Sequence, residues 1–178
     1  MKFIKFNLKD LIVFSTDEAI LHGCNCKGIM GKGAAELIKK TYNVKMFADY
    51  VVDCRDGLYN PGDVQVFSQP GLPLLYNLAI QRRPGKHAKL NFVEESIRKA
   101  VMDMTQRGIK NASITPLGCF NAGLTPDEVI NIIEKYATQS KITFTLYTRR
   151  QERHDEILPA KYFEKDQLCL LKFDRIYS

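Results

Sequence analysis

The chain contains no hydrophobic run that approaches the roughly 20 residues needed to cross a lipid bilayer as a helix. Its N-terminal segment, MKFIKFNLKD, alternates apolar with polar or basic side chains, which is unlike a secretory signal peptide. The sequence also has no internal repeat and no low-complexity tract. Apolar residues make up 45% and charged residues 26% of the 178 residues, so a wholly disordered or collagen-like chain is excluded. We therefore expect a cytoplasmic globular protein with no membrane partner.

Cysteine is sparse and does not form a recognisable framework. The five cysteines are Cys24, Cys26, Cys54, Cys119 and Cys169, and an odd, scattered set argues against structural disulfides. Cys24 and Cys26 are separated by a single residue, and no second cysteine pair or His-x-His cluster accompanies them, as a zinc site would require. We expect reduced thiols, no bound metal and no cofactor.

The charge balance is moderately basic. Lys and Arg number 26 and Asp and Glu 20, which gives a formal net charge of +6. Such a charge is compatible with simple solubility or with a preference for anionic ligands such as phosphates or nucleic acid. Charge alone does not decide between the two.

The order of predicted elements indicates an α/β fold. Strands are predicted over residues 2–7, 19–22, 64–67, 74–80, 112–115 and 141–147, and helices over 33–42, 45–54, 90–106 and 126–137. Gly108 is typical of a helix C-terminus, and Thr125 to Glu128 form a capping box with proline at the first helical position. We expect a single domain over 1–178, with a core of about 1–147 and an extension, 148–178, packed on it.

The most informative segment is HGCNCKGIMGKG, residues 22–33, which follows an apolar strand and opens a helix. Gly28, Gly31 and Gly33 would leave backbone N–H groups uncovered at the positive end of the helix dipole, which suits a phosphate or pyrophosphate. The spacing matches neither the Walker A loop nor the Rossmann fingerprint. Taken alone, the glycines are better explained as a tight strand-to-helix turn.

A second glycine-containing segment, TPLGCFNAGL at residues 115–124, also follows a predicted strand and precedes a helix. Ligands of open α/β sheets bind at the carboxyl ends of the strands, where both segments are expected to lie. Two such loops that hold one diphosphate from opposite sides would suit an elongated nucleotide.

The first loop, N-C-x-G-x-M-G-K-G, and the second, P-L-G-C-x-N-x-G-L, resemble the two signature loops of the macro domain family. Two branches of the family are nearest. One holds the DNA ADP-ribosylation antitoxins and the terminal ADP-ribose protein glycohydrolase. The other holds the yeast-type ADP-ribose 1″-phosphate phosphatases, which share the His-x-Cys-Asn-Cys run of residues 22–26. The resemblance covers roughly residues 1–147. It implies a three-layer α/β/α sandwich with a central mixed sheet, and ADP-ribose in a cleft at the strand ends.

The resemblance also implies roles for individual residues. Asp10 would accept a hydrogen bond from the adenine amino group, and Asn25 would hold and orient the distal ribose. The two diphosphate loops would comprise Gly31, Lys32 and Gly33, and then Gly118, Cys119, Phe120, Asn121, Ala122 and Gly123, with Phe120 or Asn121 against the distal ribose.

The sequence departs from the glycohydrolase branch at three positions. That branch carries glycine where this chain has Phe120, an acidic residue where it has Ala122, and a catalytic lysine where it has Gln81. Glutamine cannot form a Schiff base with an opened ribose, and Arg82, one residue further on, stays charged at every relevant pH. Lysine chemistry is therefore disfavoured.

His22 has two interpretations. Near a terminal phosphate it could act as a general acid or nucleophile, with Asn25 beside it in the catalytic pair. Otherwise it is a core histidine held by a hydrogen bond. The favoured hypothesis is a phosphatase that acts on ADP-ribose 1″-phosphate. The alternatives are a hydrolase that releases ADP-ribose from protein or nucleic acid, a non-catalytic reader of ADP-ribose or another NAD-derived signal, and a basic nucleic-acid binder without a nucleotide cleft.

A basic cluster surrounds Pro84 and Gly85. Its members are Arg82, Arg83, Lys86, His87 and Lys89. Such a run is typical of a solvated loop, or it contacts a terminal phosphate or the backbone of a modified nucleic acid. No aromatic residue interleaves it, so the cluster does not indicate a stacking platform for bases.

Overall fold

The computed structural model describes residues 2–6, 17–119 and 122–149, and in them a six-stranded mixed sheet forms the centre of the molecule. The strands are β1 (Lys2–Phe6), β2 (Ala19–Asn25), β3 (Val64–Phe67), β4 (Leu74–Gln81), β5 (Asn111–Ile114) and β6 (Thr143–Arg149). Their spatial order is β1-β6-β5-β2-β4-β3, and every neighbouring pair is parallel except β3 with β4.

Four helices cover the two faces of this sheet. They are α1 (Gly33–Thr41), α2 (Val44–Arg55), α3 (Leu90–Gln106) and α4 (Pro126–Ser140). Successive side chains of β2 point to opposite faces, so Ile20 packs in a cluster with α1 and α2, while Leu21 packs in a cluster with α3 and α4. The predicted three-layer α/β/α sandwich is therefore confirmed.

All ten predicted elements occur among the described residues, and the largest differences are at the ends of β2 and α4, each of which continues three residues beyond its prediction. The prediction ended this strand at His22, whereas it continues to Asn25 because β4 pairs alongside it across a bulge between Cys24 and Asn25. Gly23 permits this continuation, since a Cβ atom there would lie 2.3 Å from Cδ1 of Ile80. The strand therefore delivers Asn25 directly to the carboxyl edge of the sheet.

Some expectations fall on residues that the structure does not describe. Asp10, Phe120, Asn121 and the extension at 150–178 lie outside the described residues. In the part of the chain that is described, no helix has the length and apolar character of a membrane span.

Candidate functional site

Three loops leave the carboxyl edge of the sheet beside one another. We call them the first glycine loop (26–32, after β2), the basic loop (82–89, after β4) and the second glycine loop (115–125, after β5). β2 lies between β4 and β5 and runs parallel to both, so all three loops emerge on the same side. This is the edge at which ligands of open α/β sheets bind.

The Asn25 side chain organises the first glycine loop. Its Oδ1 accepts hydrogen bonds from the Lys27 amide at 2.9 Å and the Ile29 amide at 3.4 Å, and its Nδ2 donates to the Ile29 carbonyl at 2.6 Å. The Asn25 carbonyl in turn accepts from the Tyr50 hydroxyl at 2.6 Å. The residue is 5% exposed, so most of its hydrogen-bonding capacity shapes the loop from below.

The N-terminus of α1 is open to solvent. Gly31, Lys32 and Gly33 are exposed, and Lys32, the N-cap residue, makes no side-chain capping hydrogen bond. A Cβ atom added at Gly31 or Gly33 would meet no atom within 4 Å. The first-turn N–H groups of α1 therefore lack a side-chain cap from the N-cap residue, at the helix end where the dipole favours an anion.

The second glycine loop is closed by its own backbone and packs on the basic loop. Leu124 N–H donates to the Gly118 carbonyl at 3.0 Å, and Ala88 N–H donates to the Ala122 carbonyl at 3.2 Å. Gly118 has φ +72°, and a Cβ atom there would lie 2.8 Å from Leu124 and 2.9 Å from Ala88 side-chain atoms. Glycine is therefore required at 118 for both conformation and close packing. Cys119 is also buried within this loop.

His22 lies inside the protein rather than on the cleft surface. It is 0% exposed, and its Nε2 is 2.5 Å from Oδ1 of Asn77. Asn77 Nδ2 donates to Gln65 Oε1 at 3.3 Å, and Gln65 Nε2 donates to the Asp53 carboxylate. We call these four residues the polar chain. Because both side-chain amides donate towards the Asp53 carboxylate, Asn77 presents its Oδ1 acceptor to His22, and we infer that the His22 ring carries its proton on Nε2. Burial lowers the pKa of His22 to about 4.

The polar chain was missed by sequence reasoning. Asn77 interrupts the otherwise apolar run of β4, and this was the one available signal. The geometry matches the core-histidine interpretation of His22, with a side-chain partner. At neutral pH the ring is neutral and its Nε2 proton is engaged with Asn77.

Gln81 ends β4 at the same edge, beside the end of β2. Its carbonyl accepts from the Cys26 amide at 3.0 Å, which ties the first glycine loop to β4. Its side-chain Oε1 is buried and has no hydrogen-bond partner in the described part of the chain. No amine is present at this position, and Arg82 and Arg83 that follow are exposed.

The cysteines near the site are protonated thiols. Burial raises the pKa of Cys26 to about 11 and that of Cys119 to about 12, which leaves little nucleophilic thiolate at neutral pH. Across residues 2–6, 17–119 and 122–149, no three His, Cys, Asp or Glu side chains are grouped so as to hold a metal ion.

Comparison with known proteins matches the macro domain family model to residues 21–133. The curated DNA ADP-ribosyl glycohydrolase of Thermus aquaticus is 26% identical over 138 residues, which cover 76% of this chain and 37% of that protein. The protein of the same name from Mycobacterium tuberculosis is 27% identical over 129 residues, which cover 71% of this chain and 36% of that protein. The chain therefore spans little more than a third of the length of these curated relatives.

Solved structures show the same fold. The macrodomain of Mycobacterium tuberculosis DarG superposes with a TM-score of 0.72 at 24% identity, covering 82% of this chain and 96% of that one. Thermosipho africanus DarTG, solved in complex with ADP-ribose, gives a TM-score of 0.72 at 19% identity, covering 88% of this chain and 44% of that one.

Proposed function

This chain belongs to the macro domain family, and from that premise we propose that it binds ADP-ribose at the carboxyl edge of its sheet. The observation that carries the proposal is the exposed N-terminus of α1, where no N-cap side chain occupies the first-turn N–H groups and the space around Gly31 and Gly33 is open. The diphosphate of ADP-ribose would accept from these N–H groups, and Lys32 would supply a countercharge. The second glycine loop would hold the diphosphate from the other side.

The remaining contacts in the proposal come from the family resemblance. Asp10 would accept from the adenine amino group, and Phe120 or Asn121 would lie against the distal ribose. Asn25 would contribute by fixing the shape of the first glycine loop, because its side chain already makes three hydrogen bonds to that loop. A rigid, preformed loop lowers the entropy cost of binding.

The phosphatase hypothesis gains no support from the surroundings of His22. A nucleophile or general acid must reach the reacting group to within hydrogen-bond distance. The His22 ring is fully buried, its Nε2 proton is engaged with Asn77, and its lowered pKa leaves little imidazolium to act as an acid at neutral pH.

A second candidate function is the release of ADP-ribose from nucleic acid. It is favoured by the curated relatives, whose names describe DNA ADP-ribosyl glycohydrolases at 26% and 27% identity. With Gln81 in place of an amine and Ala122 in place of a carboxylate, the attacking group would be a water molecule oriented by loop amides. Without such a water, the domain would bind modified nucleic acid without turnover, as a reader.

Calorimetric titration with ADP-ribose tests the binding proposal, with Gly31→Asp and Gly31→Ala as a matched pair of variants. The Cβ atom of either variant meets open space, so both should fold with wild-type stability. The aspartate places a negative charge where the diphosphate would lie and should abolish binding, whereas the alanine should retain most of it. Absence of ADP-ribose binding by the wild type would refute the proposal.

Turnover is tested separately from binding. The wild type is incubated with an oligonucleotide that carries ADP-ribose on a base, and released ADP-ribose is quantified. Release that is lost in Gly31→Asp supports the hydrolase. Tight binding without release identifies a reader.

A further inference from the structure

Two adjacent loops at the candidate site carry cations beyond those that a diphosphate needs. Lys27 in the first glycine loop and Arg82, Arg83 and Lys86 in the basic loop are all exposed. The Cys26 amide donates to the Gln81 carbonyl at 3.0 Å, so the residues that follow them, Lys27 and Arg82, lie on neighbouring backbone segments. Within the described residues, none of these four side chains forms an ion pair; the ion pairs found there involve other cations.

Two acidic side chains near this edge pair with cations outside the two loops. Glu36 on α1 pairs with Lys40 at 2.6 Å, and Asp63 pairs with Lys99 at 2.8 Å. In the described part of the chain, neither carboxylate forms an ion pair with the four loop cations.

The basic loop is held in place at its base. Ala88 bridges to Gln81, its N–H donates to the Ala122 carbonyl at 3.2 Å, and Lys89 N–H donates to the Ile80 carbonyl at 3.3 Å. Near the tip, Arg83 Nε donates to His87 Nε2 at 3.0 Å. The backbone that carries these cations is therefore held at its base, which reduces the entropy cost of ordering the loop when a partner binds.

We propose that Lys27, Arg82, Arg83 and Lys86 form a docking surface for the phosphate backbone of a nucleic acid strand whose attached ADP-ribose occupies the cleft. This inference rests on the proposed function, which assigns both phosphates of ADP-ribose to the two glycine loops. The four cations then remain for anions outside that group. Lysine and arginine side chains pair with phosphate oxygens, so we expect this surface to contact the backbone of the strand without a sequence preference.

The proposal predicts a specific salt dependence. Each phosphate contact to a single strand contributes about −0.7 to the slope of log K against log salt, so four contacts give a slope of roughly −2.8. Binding of an oligonucleotide that carries ADP-ribose should then weaken about 50-fold between about 50 and about 200 mM salt. Oligonucleotides of different sequence should bind alike.

The decisive variant is the double substitution Arg83→Gln with Lys86→Gln. It should halve the slope, so the same salt change weakens binding only about 7-fold, and it should leave the affinity for free ADP-ribose unchanged. The matched control is Lys110→Gln, which removes an exposed cation at the opposite edge of the sheet, before β5. This control should leave the slope unchanged.

The outcomes separate this inference from the proposed function. If the double variant binds the modified oligonucleotide with the wild-type slope, the docking surface is refuted while ADP-ribose binding stands. If the wild type fails to bind free ADP-ribose, the proposed function fails, and the salt slope on an unmodified oligonucleotide still decides whether the surface binds nucleic acid. Tighter, loop-dependent binding of an ADP-ribosylated peptide would overturn the nucleic acid partner in favour of a protein.

Discussion

The pH dependence of folding stability tests the buried position of His22. The pKa of His22 is lowered from 6.5 to about 4, mainly because burial disfavours the imidazolium, with the Asn77 hydrogen bond opposing this effect. Above about pH 6.5 the histidine is neutral in both the folded and the unfolded state, and the folded state has its full stability. As the pH falls below that value, the unfolded chain takes up the proton before the folded chain does, and this favours unfolding. This stabilisation is lost progressively between about pH 6.5 and about pH 4. At about 1.36 kcal/mol per pKa unit, the full loss amounts to about 3 kcal/mol.

Urea unfolding of the wild type and of His22→Gln at about pH 7.5 and about pH 4.5 measures this contribution. Glutamine retains an N–H group for Asn77 but cannot take up a proton. The wild type should lose about 2 to 3 kcal/mol more than the variant between the two pH values, and carboxylates shared by both proteins cancel in the comparison.

Two results would refute this reasoning. One is an equal loss of stability in the two proteins, which would mean that the His22 ring is protonated as easily in the folded state as in the unfolded state. The other comes from ¹⁵N NMR of the wild type, which does not depend on the variant folding: a proton on Nδ1 at neutral pH would contradict the direction of the polar chain.

Two further predictions concern the loops. Gly118→Ala should destabilise the protein by about 2 to 4 kcal/mol in a urea titration, because it combines a φ of +72° with Cβ contacts below 3.0 Å. Gly71→Ala, at φ +80° in open space, should cost only about 1 kcal/mol in the same titration. Equal losses of stability in the two variants would contradict the close packing of Gly118 on the basic loop. Asn25→Ala removes three hydrogen bonds from the first glycine loop and should weaken ADP-ribose binding about tenfold or more, as measured by calorimetry. Asn25→Asp keeps the two bonds that Oδ1 accepts, so its affinity for ADP-ribose should be intermediate. Wild-type affinity in Asn25→Ala would show that the loop holds its shape without this side chain.

Elements with a local signal were predicted well from the sequence. The apolar periodicity of residues 90–106 and the stop at Gly108 correspond to α3 with its end, where Gly108 adopts φ +74°. The strands predicted over residues 64–67 and 74–80 correspond to β3 and β4, which pair antiparallel. In each case the determining residues are neighbours in sequence, so propensity and periodicity suffice.

The polar chain could not be predicted in the same way, because its members meet only in the folded sheet. Gln65 and Asn77 lie directly opposite each other in the β3–β4 register, and His22 pairs with Asn77 across β2 and β4. Asp53 reaches Gln65 from α2. These pairings are set by strand order and helix packing, which no local pattern encodes.

Position within a family motif and chemical role are therefore separate matters at this site. His22 and Asn25 occupy motif positions, yet the first directs its Nε2 proton to Asn77 and the second directs its amide to the loop beneath the cleft. Besides the exposed cations of the loops, the α1 N-terminus and Gln81 Oε1 keep unused hydrogen-bonding capacity at this edge; Gln81 Oε1 is an acceptor that cannot attack carbon as an amine does. The side chain at position 81 therefore offers no amine for Schiff-base chemistry, and we expect any release of ADP-ribose to be insensitive to borohydride, which traps Schiff bases formed by amines.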